Sequence, residues 1–213
     1  YIHSLFDDQQ GQVWISTDHG LFSINKVNLH TRHYTIRNGL LHDDVYAVQI
    51  DDQLNLWIGT ANGLNYLDIQ SGLISTRNPL TENLPLKEPI HSFHKDKKQN
   101  FWIGTRNGIR RIDKTTKAIT VITTRNGLSD NYIRNIYEDR EGVMWFTTDA
   151  AGVNNLVTEK FHNYTTETGL PSNFVRSFSE DIRGKMWIAT SKGLCYLVQG
   201  IFHTVRLANQ PAD

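Results

Sequence analysis

The sequence predicts an all-β fold built of four-stranded antiparallel units, and three observations predict it. Five tryptophans, Trp14, Trp57, Trp102, Trp145 and Trp187, recur every 42 to 45 residues, each heading a near-copy of one phrase. Between them the apolar residues alternate with a period of two, which argues for strands rather than helices. Asn-Gly pairs and Asp/Gly-containing stretches punctuate those runs at hairpin spacing. A repeat of this length belongs to a solenoid, a propeller or a similar array, so one unit has to be understood before any single residue is given a chemical role.

Each unit reads in the same order. A first strand is an alternating run such as Val45-Tyr46-Ala47-Val48-Gln49-Ile50 or Ile133-Arg134-Asn135-Ile136-Tyr137. A tight turn follows, as in Asp139-Arg140-Glu141-Gly142, where a carboxylate can accept backbone N–H bonds and glycine tolerates positive φ. The second strand carries the tryptophan, as in Leu56-Trp57-Ile58-Gly59-Thr60, and ends at Asn62-Gly63 or Asn107-Gly108, the dipeptide expected in a type I′ hairpin turn. A third strand (Leu64-Asn65-Tyr66-Leu67-Asp68; Ile109-Arg110-Arg111-Ile112-Asp113) and a weaker fourth (Ala118-Ile119-Thr120-Val121-Ile122; Ile201-Phe202-His203-Thr204-Val205) complete the unit. A polar linker then leads to the next first strand and carries one leucine at nearly fixed phase, Leu40, Leu84, Leu128 and Leu170; three of the four follow glycine.

Four strands per unit with the tryptophan on the second are the marks of a β-propeller blade. A solenoid of helix pairs is excluded by the alternation, and a β-helix has shorter coils without hairpins. The repeats fall at about 1–44, 45–89, 90–132, 133–174 and 175–213, in one propeller or part of one. Five blades could close on themselves, but an open piece would leave two apolar faces bare, and an excerpt of a larger ectodomain is the expectation.

Columns that repeat five times are read as architecture. An aspartate stands six residues before every tryptophan (Asp8, Asp51, Asp96, Asp139, Asp181) and a threonine three after it (Thr17, Thr60, Thr105, Thr148, Thr190). The tryptophan is expected to fill the space between neighbouring sheets, and the aspartate and threonine to satisfy turn backbone.

Composition narrows the function classes. Lys plus Arg and Asp plus Glu number 22 each, without a basic run, so nucleic acid is not an expected partner. The single cysteine, Cys195, stands among Leu194, Tyr196 and Leu197 and reads as a small core residue rather than a nucleophile. No apolar stretch approaches the roughly 18 residues of a membrane-spanning helix. His91 and His94, three apart on a strand, point to opposite faces and cannot share a metal, and His30 and His33 lack a third ligand, so no metal and no cofactor is expected.

Function is sought where the repeats differ. Eleven residues before each tryptophan stand His3, Tyr46, His91, Arg134 and Arg176, large hydrogen-bonding or cationic side chains that vary from unit to unit. They open the strand expected to lie nearest the propeller axis and would converge at the mouth of the central channel, the usual concave site of a closed array. Asp43, Asp44 and Asn131, on the linkers just upstream, would form its rim. Departures from the repeat fall elsewhere: Leu54 and Gln99 replace the turn glycine, Asp149-Ala150-Ala151-Gly152 carries an extra residue, and Leu84-Pro85-Leu86-Lys87-Glu88-Pro89 is a proline-containing linker.

The first strand, the phrase Asp-x-x-Gly-x-x-Trp-Ile-Gly-Thr-x-x-Gly-Leu and the linker Gly169-Leu170-Pro171-Ser172-Asn173 together resemble the two-component regulator propeller repeat, across essentially the whole chain. The phrase is also similar to the Asp-box of sialidases, at a spacing one residue longer. The propeller resemblance implies a non-catalytic, periplasmic, ligand-sensing segment of a membrane-anchored bacterial signalling protein, whose histidine kinase or diguanylate cyclase lies outside these residues. It implies a small polar or oligosaccharide ligand, and further blades or a second copy as partners. Two alternatives stand beside it: a propeller enzyme of lyase or glycosidase type, since Trp145-Phe146-Thr147-Thr148 is similar to streptogramin lyase repeats, and a protein-interaction or dimerisation scaffold.

Overall fold

The computed structural model describes residues 1–77 and 86–205, and in them every unit forms a four-stranded meander with its strands hydrogen-bonded in chain order. Blade 1 comprises β1 (Ile2–Asp7), β2 (Gln12–Thr17), β3 (Gly20–Asn25) and β4 (Thr31–Tyr34); blade 2 comprises β5 (Val45–Ile50), β6 (Asn55–Thr60), β7 (Gly63–Asp68) and β8 (Ile74–Ser75). Blade 3 comprises β9 (Ile90–Lys95), β10 (Phe101–Thr105), β11 (Gly108–Ile112) and β12 (Ile119–Ile122). Blade 4 comprises β13 (Ile133–Glu138), β14 (Met144–Thr148), β15 (Val153–Val157) and β16 (Lys160–Tyr164), and blade 5 comprises β17 (Val175–Glu180), β18 (Met186–Thr190), β19 (Gly193–Val198) and β20 (Ile201–Thr204). The all-β, five-blade reading is therefore observed. The chain divides into two compact units, Tyr1–Arg106 with Arg110–Thr120 and Asn107–Ile109 with Val121–Asp213.

Within each unit the blades pack face to face through the tryptophan column. In the first, Trp14 joins Leu21, Tyr34 and Leu40 against Val45, Val48, Leu56 and Ile58 of blade 2, and Trp57 joins Leu64 and Tyr66 against Ile90, Phe93 and Phe101 of blade 3. In the second, Trp145 and Val153 meet Val175, Met186 and Ile188 of blade 5. Cys195 lies in that last cluster, fully buried, and burial pushes its thiol up to about 11, so it is a core residue and not a poised nucleophile. At the turn end the seams also carry ion pairs of swapped polarity. Asp52 of blade 2 meets Lys95 of blade 3 at 2.9 Å, whereas Arg140 of blade 4 sits 3.7 Å from Glu180 of blade 5.

The aspartate column does two jobs at once. One carboxylate oxygen accepts turn N–H groups, from Gln53 and Asn55 at 2.9 Å each in blade 2 and from Glu141 and Val143 at 3.0 and 2.9 Å in blade 4. The other accepts the indole N–H of the tryptophan six residues on, at 3.2, 3.0, 2.8, 2.7 and 3.0 Å in blades 1 to 5. The aspartate stands opposite the residue two before the tryptophan, as the Asp8 N–H bond to the Gln12 carbonyl shows, and residues two apart on a strand share a face, which brings the carboxylate to the indole. At Leu54 and Gln99 the turn bends through φ of 64° and 67°, the left-handed region that costs a side chain roughly 1–2 kcal/mol. Gly142 and Gly184 adopt φ of 83° and 80° in the same place. Because glycine also loses more entropy on folding, Leu54→Gly and Gln99→Gly are expected to raise stability by only about 0.5–1 kcal/mol each, read from urea midpoints.

The hairpin between second and third strands differs from the type I′ expectation. Thr60 pairs with Gly63, so the loop residues are Ala61 and Asn62, and neither has positive φ. The glycine instead starts the third strand at φ 125°. The threonine column explains the change: Thr60 Oγ1 accepts the Asn62 N–H at 3.2 Å and donates to the Gly63 carbonyl at 2.9 Å, closing the loop from inside. Gly63 is required for a second reason, since a Cβ there would strike the carbonyl of Leu86 on the incoming linker.

Three linkers share a construction that alternation does not disclose. Thr35, Thr123 and Thr165 cap the 3-10 turns Ile36–Asn38, Thr124–Asn126 and Thr166–Thr168, and a left-handed glycine (Gly39, Gly127, Gly169) ends each and sends the next leucine inward. Leu40, Leu128 and Leu170 are all buried. Leu84 and the start of the proline-containing linker lie outside the described residues, and Leu86, just beyond them, is buried against blades 2 and 3. A third-strand side chain then ties down the linker ahead of its blade. Asn65 donates to the Gly39 carbonyl (3.1 Å) and accepts from the Leu41 N–H (2.9 Å), Asn154 holds Ser129, and Arg110 reaches Glu88 at 3.1 Å.

Candidate binding site at the first-strand bulges

The column singled out for function coincides with a backbone irregularity in every blade. In blade 1, Ile2 pairs with Thr17 and Ser4 with Ser16, leaving His3 as the extra residue of a β-bulge. The same shift isolates Tyr46, His91, Arg134 and Arg176 in the other four blades. A bulge twists the strand and re-aims the side chain it carries, which suits a position whose side chain serves something other than the sheet. The following apolar residue is thereby thrown back onto the core face: Val45 and Val48, Ile90 and Phe93, and Ile133 and Ile136 are all buried although they stand three apart.

In the first unit the bulged residues of three successive blades form a row of rings. His3 meets Tyr46 edge-on with centroids 5.3 Å apart, and Tyr46 lies 4.7 Å from His91 at a 34° tilt. His3 is the exposed end, Tyr46 is half-buried and His91 is buried. Asp44 adds a carboxylate: its Oδ1 lies 2.8 Å from His3 Nε2, across the seam between blades 1 and 2. The row therefore offers aromatic faces and edges, a phenol, and an imidazole held in place by a carboxylate.

The second unit carries the cationic members. Arg134 pairs with Asp149, in the extra-residue loop, at 2.6 Å and lies 4.4 Å over the ring of Tyr132. Asp149 holds the position directly after the column threonine, that of Asp18 in blade 1 and Ala61 in blade 2, and supplies this arginine's counter-ion. Arg176 is exposed and makes no ion pair among the described residues.

The linker residues divide differently. Asp44 belongs with the ring row, but Asp43 Oδ1 accepts the Ile36 N–H and Asn131 Oδ1 accepts the Thr124 N–H, each at 2.8 Å. Asn173 does the same for Thr166. Asp43 and Asn131 are thus engaged in closing the 3-10 turns of their own linkers, and the spacing of seven residues from each capped N–H is the signal for it. Among the described residues no three His, Cys, Asp or Glu side chains converge as a metal site would require.

The family profile described as two component regulator propeller matches residues 1–19, 127–150 and 169–192. No curated protein matches the sequence. Among solved structures, the extracellular domain of the putative hybrid two component system BT3049 from B. thetaiotaomicron is similar over 96% of this chain and 28% of its own, at 27% identity and a TM-score of 0.80. The extracellular domain of the putative hybrid two component system BT4673 from the same organism is similar over 99% of this chain and 31% of its own, at 19% identity and a TM-score of 0.82. Virginiamycin B lyase from Staphylococcus aureus matches 98% of this chain and 71% of its own, at 14% identity and a TM-score of 0.70. The last two likenesses are of fold alone. The chain spans under a third of the length of the two extracellular domains.

Proposed function

We propose that this chain, which matches the two component regulator propeller profile over residues 1–19, 127–150 and 169–192, is the ligand-sensing, non-catalytic propeller segment of a bacterial transmembrane signalling protein, lying in the periplasm and binding a small polar or saccharide ligand. The observation that carries this reading is the five-fold bulge. A fold that repeats its tryptophan, aspartate and threonine in every blade also repeats a device for turning one side chain out of the sheet, and varies only what that side chain is. His3, Tyr46 and His91, with Asp44, supply ring surfaces and hydrogen-bonding edges suited to a sugar face; Arg134 and Arg176 supply guanidinium groups suited to carboxylates or hydroxyls.

The same reading accounts for β1. Ile2 and Leu5 are 66% and 67% exposed, whereas the matching Val45 and Val48 of β5 are buried. That face fits the apolar side of a further repeat or of a second copy of the chain.

Calorimetric titration of a panel of soluble oligosaccharides tests the site. At least one is expected to bind saturably, with Tyr46→Ala weakening binding at the ring row, or the double variant Arg134→Ala/Arg176→Ala weakening binding at the cationic pair of the second unit, ten-fold or more while leaving the unfolding midpoint in place. Unchanged affinity in both variants would sink the assignment. A second reading, a propeller enzyme, draws on the imidazole–carboxylate pair of His3 and Asp44; turnover of a lactone or saccharide panel that disappears in His3→Ala would favour it.

A further inference from the structure

A second, separate cleft opens at the other end of blade 1. It has a volume of roughly 470 Å³, its floor is one face of the sheet, and Ile69 of blade 2 closes its side. Register places two rows across it: Trp14, Ser23 and Arg32 stand opposite one another on β2, β3 and β4, and Gln12 stands opposite Asn25. Residues two apart on a strand share a face, so Tyr34 joins Arg32 there.

Three features of this cleft point to a ligand. Ser23 and Tyr34 are 3% and 9% exposed and line the cleft, yet neither hydroxyl has a hydrogen-bond partner among the described residues. Both oxygens are open to the cleft rather than sealed in the core, whereas blade 4 satisfies the matching tyrosine from within the sheet: Asn155, in the place of Ser23, donates to the Tyr164 hydroxyl at 3.4 Å. The Arg32 guanidinium also has no ion-pair partner among the described residues, and no carboxylate lines the cleft. The corresponding positions on β8, β16 and β20 are Ser75, His162 and His203, so the guanidinium is peculiar to blade 1 among them. The cleft between blades 4 and 5 is lined differently, by Asp139, Glu141 and Glu180 among others.

We propose that this cleft binds an oxyanion, the carboxylate or phosphate group of a small polar molecule, with Arg32 clamping its oxygens and the Ser23 and Tyr34 hydroxyls donating to it. A guanidinium presents paired donors that match either group, and charge-assisted bonds to it are the strong ones. The site is distinct from the ring row, since His3 lies near the Thr17 end of β2 and Gln12 opens its other end.

The test is an amide-resolved NMR titration of the chain in chloride buffer with inorganic phosphate and, separately, with citrate. Saturable shifts confined to the strands around Gln12, Ser23, Asn25 and Tyr34 are expected with at least one of them. Response to phosphate alone or citrate alone identifies which oxyanion is preferred. Arg32→Gln should weaken the response at least ten-fold and Ser23→Ala several-fold, with the dispersed spectrum retained, while Lys160→Gln, at an exposed cation outside both sites, leaves it unchanged. Shifts that never saturate, or that survive Arg32→Gln, would overturn the proposal without touching the ring-row site, which is read by oligosaccharide binding.

Discussion

Trp57→Ala is expected to lower the stability of the chain by about 3–5 kcal/mol, the range for deleting a fully buried large aromatic from a core that relaxes only in part. Trp57 has no exposed surface. Its ring packs on Phe101 of the next blade at 4.2 Å, and on Tyr66 at 4.9 Å and Phe93 at 6.4 Å in edge-on arrangements. Removing it empties the seam between blades 2 and 3 and leaves three aromatic rings without their common partner. Trp187 provides the internal comparison. It occupies the same column and makes the same bond to its aspartate at 3.0 Å, but it is only partly buried, with Lys185 near its ring. Trp187→Ala is therefore expected to cost roughly 1–2 kcal/mol, in proportion to the smaller area withdrawn from water. Urea unfolding followed by far-ultraviolet circular dichroism reads both. Equal losses would mean that the tryptophan column stabilises its own blade rather than the seam to the next.

That contrast bears on how much the sequence disclosed. The repeat spacing identified the blades, the strand order and the scaffold role of the tryptophan, because a side chain needed five times at one phase has to answer to the architecture. The alternating runs were legible as strands, but the bulge inside the first strand was not read from them. Its signal was present. Val45 and Val48, or Ile133 and Ile136, are apolar at a spacing of three, which an unbroken strand cannot bury on one face. The candidate column stands out in the sequence by its variation from unit to unit, and the structure gives that column a common backbone cause.

The linkers were less legible. Glycine before leucine was visible, but Thr35 and Asn38 bond each other's backbone over only three residues, a local capping pattern that hydrophobic periodicity does not report. Asp43 and Asn131 looked like rim residues because they are polar and lie next to the column. Their spacing from Ile36 and Thr124 was the better guide, since a side chain that closes a turn on its own linker has less to offer a ligand. Asn65 and Asn154 are alike but Arg110 between them is not, so composition alone does not mark the three as one column; the third-strand register shows that each restrains the linker ahead of its blade.

Asp51→Ala is expected to cost about 3 kcal/mol, nearly as much as losing the ring it holds. The carboxylate is buried and accepts the N–H groups of Gln53 and Asn55 at 2.9 Å and the indole N–H of Trp57 at 3.0 Å. Alanine leaves the indole donor stranded in an apolar seam and the turn without its acceptor, and each stranded buried group costs roughly 1–3 kcal/mol. Asp51→Asn keeps one acceptor oxygen, which cannot serve the turn and the indole together at full strength, so a loss of about 1–2 kcal/mol is expected. The decisive comparison is made in a Trp57→Phe background, where the indole donor is already gone. There Asp51→Ala should cost about 1–2 kcal/mol less than in the unmodified chain, a coupling of the size found between contacting residues. Additive losses would show that the carboxylate acts on the turn alone and that the bond common to all five blades contributes nothing to holding the tryptophan in its seam.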